Sequence, residues 1–253
     1  MTQMSLNVSI IQMNSQGVRS ANLANVLSRC KQAIKHGSQL IVLPEVFSLR
    51  SETLSIQEKS EDIQGESIQQ LVSIARQYAV WIVGGSIYER CSHSKKAYNT
   101  SVVISNKGKI TAKYRKIHLF DAGIDQVRIQ ESNDFLEGDC PVITPIHGIL
   151  TGLSICYDLR FPELYRYYSR QGAKMICVPS AFTRPTGKRH WEVLLRARAI
   201  ENQCFILAPN QVGRGAGGIP SYGHSMVIGP DGNMIVSNRL LHPLVQSSID
   251  GMA

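Results

Sequence analysis

No apolar run in the 253 residues is long enough to cross a bilayer as a helix, so no membrane-spanning helix is expected. The six cysteines (Cys30, Cys91, Cys140, Cys156, Cys177, Cys204) include no CxxC pair and no His-rich spacing. Zinc and dithiol redox chemistry are therefore unsupported, and no metal or cofactor is expected. The opening MTQMSLNVSIIQMNSQ has neither a basic n-region nor a small-residue cleavage site, so no secretory signal is read there. Scattered thiols then fit a reduced, cytoplasmic setting. No internal repeat, linker or low-complexity segment interrupts the chain, and one domain over 1–253 is expected. Basic charge is spread thinly: the densest stretch, TRPTGKRH at 183–190, reads as a short loop, and no nucleic-acid motif accompanies it.

What remains is an ordinary globular composition, 43% hydrophobic and 18% charged, with a net charge of +8. That sign favours small anionic substrates drawn in by the overall field. Apolar runs rich in β-branched residues alternate with helical periodicity, the pattern of an α/β protein. LNVSIIQM (6–13) reads as a strand, followed by a helix with Leu23, Leu27, Cys30 and Ile34 on one face and Gly37 as its stop. QLIVLPE (39–45) is a second strand. A helix with Ile68, Leu71, Val72, Ala75 and Ala79 on one face leads into the strand VWIVGGSIYE (80–89). A hairpin through NTSVVIS, NKGK and ITAKYRK follows. GILTGLSIC (148–156) reads as a strand ending on Cys156, and a helix over 161–173 starts at Pro162. MICVPSA (175–181), a helix over 190–203, FILAPNQV (205–212) and a hairpin over 224–237 complete the alternation.

Three strand ends carry chemically useful groups. Cys30, Cys177 and Cys204 fit the common role of cysteine as a small core residue. Cys156 differs, because Tyr157, Asp158 and Arg160 follow it at once, which favours an exposed, electropositive sulfur. Glu45 ends a buried strand, where a carboxylate is costly unless paired or functional. Lys116 closes ITAKYRK. Taken singly, Glu45 is as readily half of an ion pair, and Lys116 a solvated strand end. A thiol nucleophile needs a base, and His118, His190 and His224 keep a Cys-His pairing open on pattern alone.

IVLPEVF around Glu45, KYRKIHLFD around Lys116 and GLSICYDLRFPELYR around Cys156 resemble, in this order and spacing, the three signature regions of the nitrilase, or carbon-nitrogen hydrolase, superfamily. VPSAF, HWEVLLRARAIENQ and SYGHSMVIGPDG extend the similarity over nearly the whole chain. The resemblance implies a four-layer αββα sandwich and a catalytic Glu45, Lys116 and Cys156. It also implies a second glutamate, which IQES places at Glu131; Glu137 is set aside because FLEGD is turn-like.

The expected reaction is hydrolysis of the carboxamide C–N bond of a small anionic amide through a cysteine thioester, releasing ammonia. Glu45, its pKa raised by burial, would move the protons, while Lys116 and the Tyr157 N–H would stabilise the oxyanion. Arg160 is the expected grip for a substrate carboxylate unless it pairs with Asp158 or Glu163; Phe182 and Thr186 are expected to line the pocket.

HWEVLLRARAIE with SYGHSMV is most similar to the branch acting on deaminated glutathione, while ω-amidases acting on α-ketoglutaramate share the CYDxRFPE segment but usually carry Trp before GHS. A nitrilase, an N-carbamoyl amino acid hydrolase and an interaction scaffold are the alternatives, although the long inserts of the ureido branch are missing. The resemblance also implies a homo-oligomer, expected as a dimer. Relatives continue past LVQSSID (244–250) into a tail that packs on a partner, which puts the usual contacts in doubt for a chain ending at Ala253.

Overall fold

The structure, a computed structural model, describes residues 5–124, 127–215, 220–237 and 244–250. The first half runs β1 (Ser5–Ile11), α1 (Arg19–Lys35), β2 (Leu40–Val42), the single-turn α2 (Ile56–Lys59), α3 (Glu66–Tyr78), β3 (Trp81–Val83), β4 (Ile87–Arg90), β5 (Ala97–Ile104) and β6 (Ile110–Arg115). A small hairpin of β7 (Asp121–Ile124) and β8 (Val127–Gln130) and the short α4 (Glu131–Asp134) lead into the second half. That half contains β9 (Ile143–Ile146), β10 (Ile149–Leu153), a 3₁₀ turn over Cys156–Arg160, α5 (Pro162–Arg170), β11 (Met175–Cys177) and α6 (Arg184–Asn202). It continues with β12 (Phe205–Ala208), the two-strand pair β13 (Val212–Gly213) and β14 (Ser221–Tyr222), β15 (Met226–Ile228), β16 (Met234–Ser237) and β17 (Leu244–Asp250).

Among the described residues, seven strands form one sheet in the order β17-β1-β2-β3-β5-β4, with β6 also on β5; six form a second, β16-β15-β12-β11-β10-β9. The halves are laced together because β17 returns to pair antiparallel with the whole of β1. The central strands are parallel and apolar on both faces, as strands covered on both sides must be. Alternate residues then divide between layers. Val8, Ile10, Leu40, Val42 and Val83 of the first sheet meet Leu153, Met175, Cys177, Leu207 and Val227 of the second in one buried cluster. On the outer face of the first sheet, Ile41, Ile82 and Val102 pack under Leu23, Val26, Ile68 and Leu71 of α1 and α3. On the second, Ile176, Ile206 and Ile228 pack under Tyr165, Tyr168, Trp191 and Leu195 of α5 and α6. The result is helix, sheet, sheet, helix: an αββα sandwich. Each fully buried aliphatic side chain in these layers contributes about 1.5–3 kcal/mol.

Several sequence expectations need correction. Residues 80–89 are not one strand: β3 stops at Val83, and Gly84 and Gly85 turn the chain before β4. Gly85 has φ +48°, and a Cβ there would lie 2.0 Å from the carbonyl oxygen of Pro44. Residues 183–190 are not a loop, since α6 already begins at Arg184 with Pro185 in its first turn. The stripe of α1 is rotated slightly, with Leu23, Val26, Cys30 and Ala33 fully buried while Leu27 and Ile34 are partly so. Ala79 leaves the face of α3 and caps it in the left-handed region, at φ 53°.

Candidate active site

Glu45, Lys116 and Cys156 lie not in the ladders but one to three residues beyond β2, β6 and β10. Leaving the ladder frees the backbone to bend, and these three bends meet. Glu45 is 3% exposed and is placed by the close approach of Gly85, with Ser86 Oγ accepting from the N–H of Val46 at 3.0 Å. Val46 sits at φ 53°, a rare conformation for a β-branched residue, and Cys156 at φ 49°. Backbone strain of this kind concentrates at functional sites. On the other side, the ring of Tyr168 lies on Gly152, whose Cβ would come within 2.6 Å of it, and its hydroxyl donates to the carbonyl of Leu153. α5 thus holds the strand that delivers Cys156.

Lys116 is 1% exposed and extends between two carboxylates. Its Nζ donates to Glu131 Oε2 at 2.8 Å and Oε1 at 3.0 Å, and to Glu45 Oε1 at 3.2 Å. Burial works against its charge, but Glu131 and then Glu45 outweigh that and hold Lys116 protonated well above the ordinary lysine range. Glu45 also accepts from Asn99 Nδ2 at 2.8 Å and from the Ala181 N–H at 2.7 Å. Glu131 accepts from the Phe120 N–H at 2.7 Å; burial raises its pKa against the pull of Lys116.

The expectation of an exposed, electropositive sulfur fails. Cys156 is half-buried, and desolvation followed by the Glu45 carboxylate pushes its thiol well above the usual range, with Lys116 only partly offsetting them. These surroundings favour the thiol over the thiolate. Asp158 does not electrify the surface either. It is fully buried and accepts four hydrogen bonds, from Tyr114 OH at 2.6 Å, Ile155 N at 2.8 Å, His118 N at 3.0 Å and His118 Nδ1 at 2.7 Å. One carboxylate thereby ties the loop after Lys116 to the turn that carries Cys156, and His118 is occupied with it. His190 contacts Arg160 at 3.2 Å, and His224 Nδ1 contacts the carbonyl of Tyr222 at 2.8 Å.

A cavity of about 780 Å³ opens over this group, lined by Glu45, Glu131, Cys156, Tyr157, Arg160, Phe182 and Thr186 among others. Lys116 bonds two of these lining residues, Glu45 and Glu131, from within the protein. The Tyr157 N–H stands in the first turn after Cys156, where helical N–H groups lack an intrahelical acceptor. Arg160 pairs with neither Asp158 nor Glu163 among the described residues; it lies 5.5 Å and 5.4 Å from the Tyr157 and Phe182 rings. Phe182 is 4% exposed and belongs partly to the core, against Trp191. The Thr186 hydroxyl contacts that of Thr183 at 2.8 Å.

Sequence reading missed Asn99, the Ala181 N–H, the Asp158 network and Arg50, another lining residue. An amide inside the apolar strand NTSVVIS was a usable sign for Asn99. A backbone N–H such as that of Ala181 leaves none. Among the described residues, no group of three or more His, Cys, Asp or Glu side chains is placed to hold a metal ion, and no helix is long and apolar enough to cross a membrane.

Comparison with known proteins places the chain in a family. The carbon-nitrogen hydrolase family model matches residues 7–250. The deaminated glutathione amidase of Rattus norvegicus is 39% identical over 241 residues, covering 91% of this chain and 72% of that protein. The human omega-amidase NIT2 is 34% identical over 247 residues, covering 97% and 89%. Among solved structures, the C. elegans NitFhit protein superimposes with a TM-score of 0.90 at 32% identity, covering 99% of this chain and 62% of that one. Nit3 of Saccharomyces cerevisiae, described as a member of the nitrilase superfamily, gives 0.88 at 30% identity, covering 97% and 90%. The chain spans half the length of the nitrilase and fragile histidine triad fusion protein of Drosophila melanogaster, to which it is 41% identical over 236 residues. The chain therefore belongs to the carbon-nitrogen hydrolase family of the nitrilase superfamily, hydrolases that act on carbon–nitrogen bonds.

Proposed function

We infer that the chain is an amidase in which Cys156 is acylated by a small anionic amide and the thioester is then hydrolysed. The observation that carries this reading is Lys116, fully buried and held between Glu45 and Glu131, two carboxylates that line one cavity with Cys156. Such an arrangement costs several kcal/mol of desolvation and is hard to explain as a stabilising device alone. In the reaction, Glu45 takes the thiol proton as sulfur attacks the amide carbon. Charge then collects on the carbonyl oxygen, and the Lys116 ammonium with the Tyr157 N–H stabilises it. Glu45 returns the proton to the departing nitrogen and later takes one from water, which cleaves the thioester. Glu131 keeps Lys116 in place and helps orient the amide.

Deaminated glutathione is our preferred substrate, with α-ketoglutaramate the alternative. Support comes from the 39% identity to the rat enzyme named for the former against 34% to the human omega-amidase, and from the two motifs that carried the resemblance. These form one unit: Trp191 Nε1 donates to the carbonyl of His224 at 2.8 Å, while Tyr222 packs on Gly187 of α6. Ser221, in the same segment, lines the cavity. Deaminated glutathione contains no primary carboxamide, so its leaving group is an amine rather than ammonia, and an assay must follow the released acid or amine as well. The test is turnover of deaminated glutathione, α-ketoglutaramate, aliphatic amides, nitriles and N-carbamoyl amino acids by wild type and by Cys156→Ala. Amide hydrolysis that vanishes in Cys156→Ala is expected; unchanged activity in the variant refutes the mechanism.

A further inference from the structure

The cavity takes cationic groups from both halves of the sandwich. Arg160 comes from the turn four residues after Cys156, and Arg50 from the loop five residues after Glu45; both line the cavity. Arg50 is half-buried, and its position is fixed. Its backbone N–H donates to the carbonyl of Gln16 at 3.2 Å, and its Nη1 donates to the hydroxyl of buried Ser221 at 3.1 Å. Its guanidinium lies against Gly215, where a Cβ would stand 2.7 Å from Cζ.

Among the described residues, no carboxylate is within ion-pairing distance of Arg50. A guanidinium carries five N–H donors, so among the described residues the Ser221 contact leaves most of the fork unused. A cation that is partly desolvated, preorganised and unpaired is arranged for an anion arriving from solution. Glu52, Asp134 and Arg128 also line the cavity, but all three are exposed, where water and salt screen them, and Lys59, half-buried, donates to the carbonyl of Ser51 at 3.4 Å.

We propose that Arg50 is a second carboxylate-binding residue and that the substrate class is an amide bearing two carboxylates. Arg160 takes the carboxylate on the Cys156 side and Arg50 the one carried by the distant end of the molecule. A cavity of about 780 Å³ is large enough for a substrate of tripeptide size. The inference rests on the amidase reading and sharpens it, because it separates deaminated glutathione, with two carboxylates, from α-ketoglutaramate, with one.

The test measures KM and kcat of wild type, Arg50→Ala and Arg50→Lys on those two compounds, with thermal melts to confirm folding. The expected result is that Arg50→Ala raises KM for deaminated glutathione about 10- to 100-fold with kcat much less affected. Selectivity over α-ketoglutaramate should fall by at least 10-fold, and Arg50→Lys, which keeps the charge but not the fork, should lie between. A selectivity ratio unmoved by Arg50→Ala, or a wild type that prefers single-carboxylate amides, overturns the inference while leaving the amidase reading intact. A wild type inactive on every amide of the panel overturns both.

Discussion

Replacing Glu131 with glutamine separates the charge that holds Lys116 from the shape of the side chain. Glutamine can place its one oxygen where Oε2 now accepts from both Phe120 N–H and Lys116 Nζ, at 2.7 and 2.8 Å. Its amide nitrogen then falls where Oε1 stood, 3.0 Å from the ammonium, putting a donor against a cation. One charge-assisted hydrogen bond is lost, but Lys116 keeps Glu45 at 3.2 Å, so its charge is not orphaned. The stability cost is therefore about 1.5–3 kcal/mol, below the 3–5 kcal/mol of a fully broken buried pair. For a chain of this size that lowers Tm by about 3–12 °C. Activity should suffer more. Drawn toward Glu45, the ammonium is expected to lose the oxyanion contact we propose for it, and loss of one such donor costs about 2.7–4 kcal/mol, or 10²–10³ in kcat. The assay is kcat and kcat/KM at a temperature where melts show the variant fully folded. Turnover within about threefold of wild type would refute the role assigned to Glu131.

Three further outcomes follow from the same geometry. Asp158→Asn puts an amide donor among four donors, and should cost about 2–4 kcal/mol with a Tm loss of about 4–16 °C, read by thermal denaturation; an unchanged Tm would contradict the clamp. The Cys156 thiol is raised by burial and by Glu45, so the 240 nm difference spectrum between wild type and Cys156→Ala should show no thiolate at pH 7, with absorbance growing only in alkali; a thiolate signal at neutral pH would count against carboxylate-assisted attack. Glu89 is held at about 2, because hydrogen bonds from Arg115, Thr100 and Lys113 outweigh its desolvation. Its folded pKa is depressed, so the stability it contributes is present above about pH 4.5 and drains as pH falls toward 2. Denaturant titrations should therefore show a shallower acid loss in Glu89→Gln over that window, and identical slopes would contradict the assignment.

Much of the architecture was legible because periodicity reports burial directly. Leu40, Ile41 and Val42 are apolar in succession because β2 is covered on both faces, and α3 buries Ile68, Leu71, Val72 and Ala75 as its pattern requires. Misreadings fell where a single tertiary contact decides. Gly84 and Gly85 broke an apolar run because the backbone of Pro44 needs that space. Pro185 and Gly187 resembled loop chemistry, yet Pro185 starts α6 and Gly187 makes room for Tyr222. At the site, Glu45, Lys116 and Cys156 stand out from the order of three motifs and Glu131 from the IQES segment of the resemblance; in the structure Lys116 bonds both glutamates, and these line one cavity with Cys156. The electrostatics were not legible. Asp158 reads in the sequence as a polar neighbour that exposes Cys156 or pairs with Arg160, and only the fold shows it buried under four donors. Arg50 had no motif of its own, and its interest arises from the Ser221 and Gly215 contacts made across the chain.

The central claim is that Cys156 is acylated by the amide and that Glu45 serves it. The most direct measurement is rapid acid quench of the enzyme during turnover, followed by intact and peptide mass spectrometry. The account predicts an acyl adduct on the peptide carrying Cys156, absent in Cys156→Ala and formed at least 10²-fold more slowly in Glu45→Gln. Turnover with no adduct at Cys156, or an adduct formed at the wild-type rate without the Glu45 carboxylate, would contradict it.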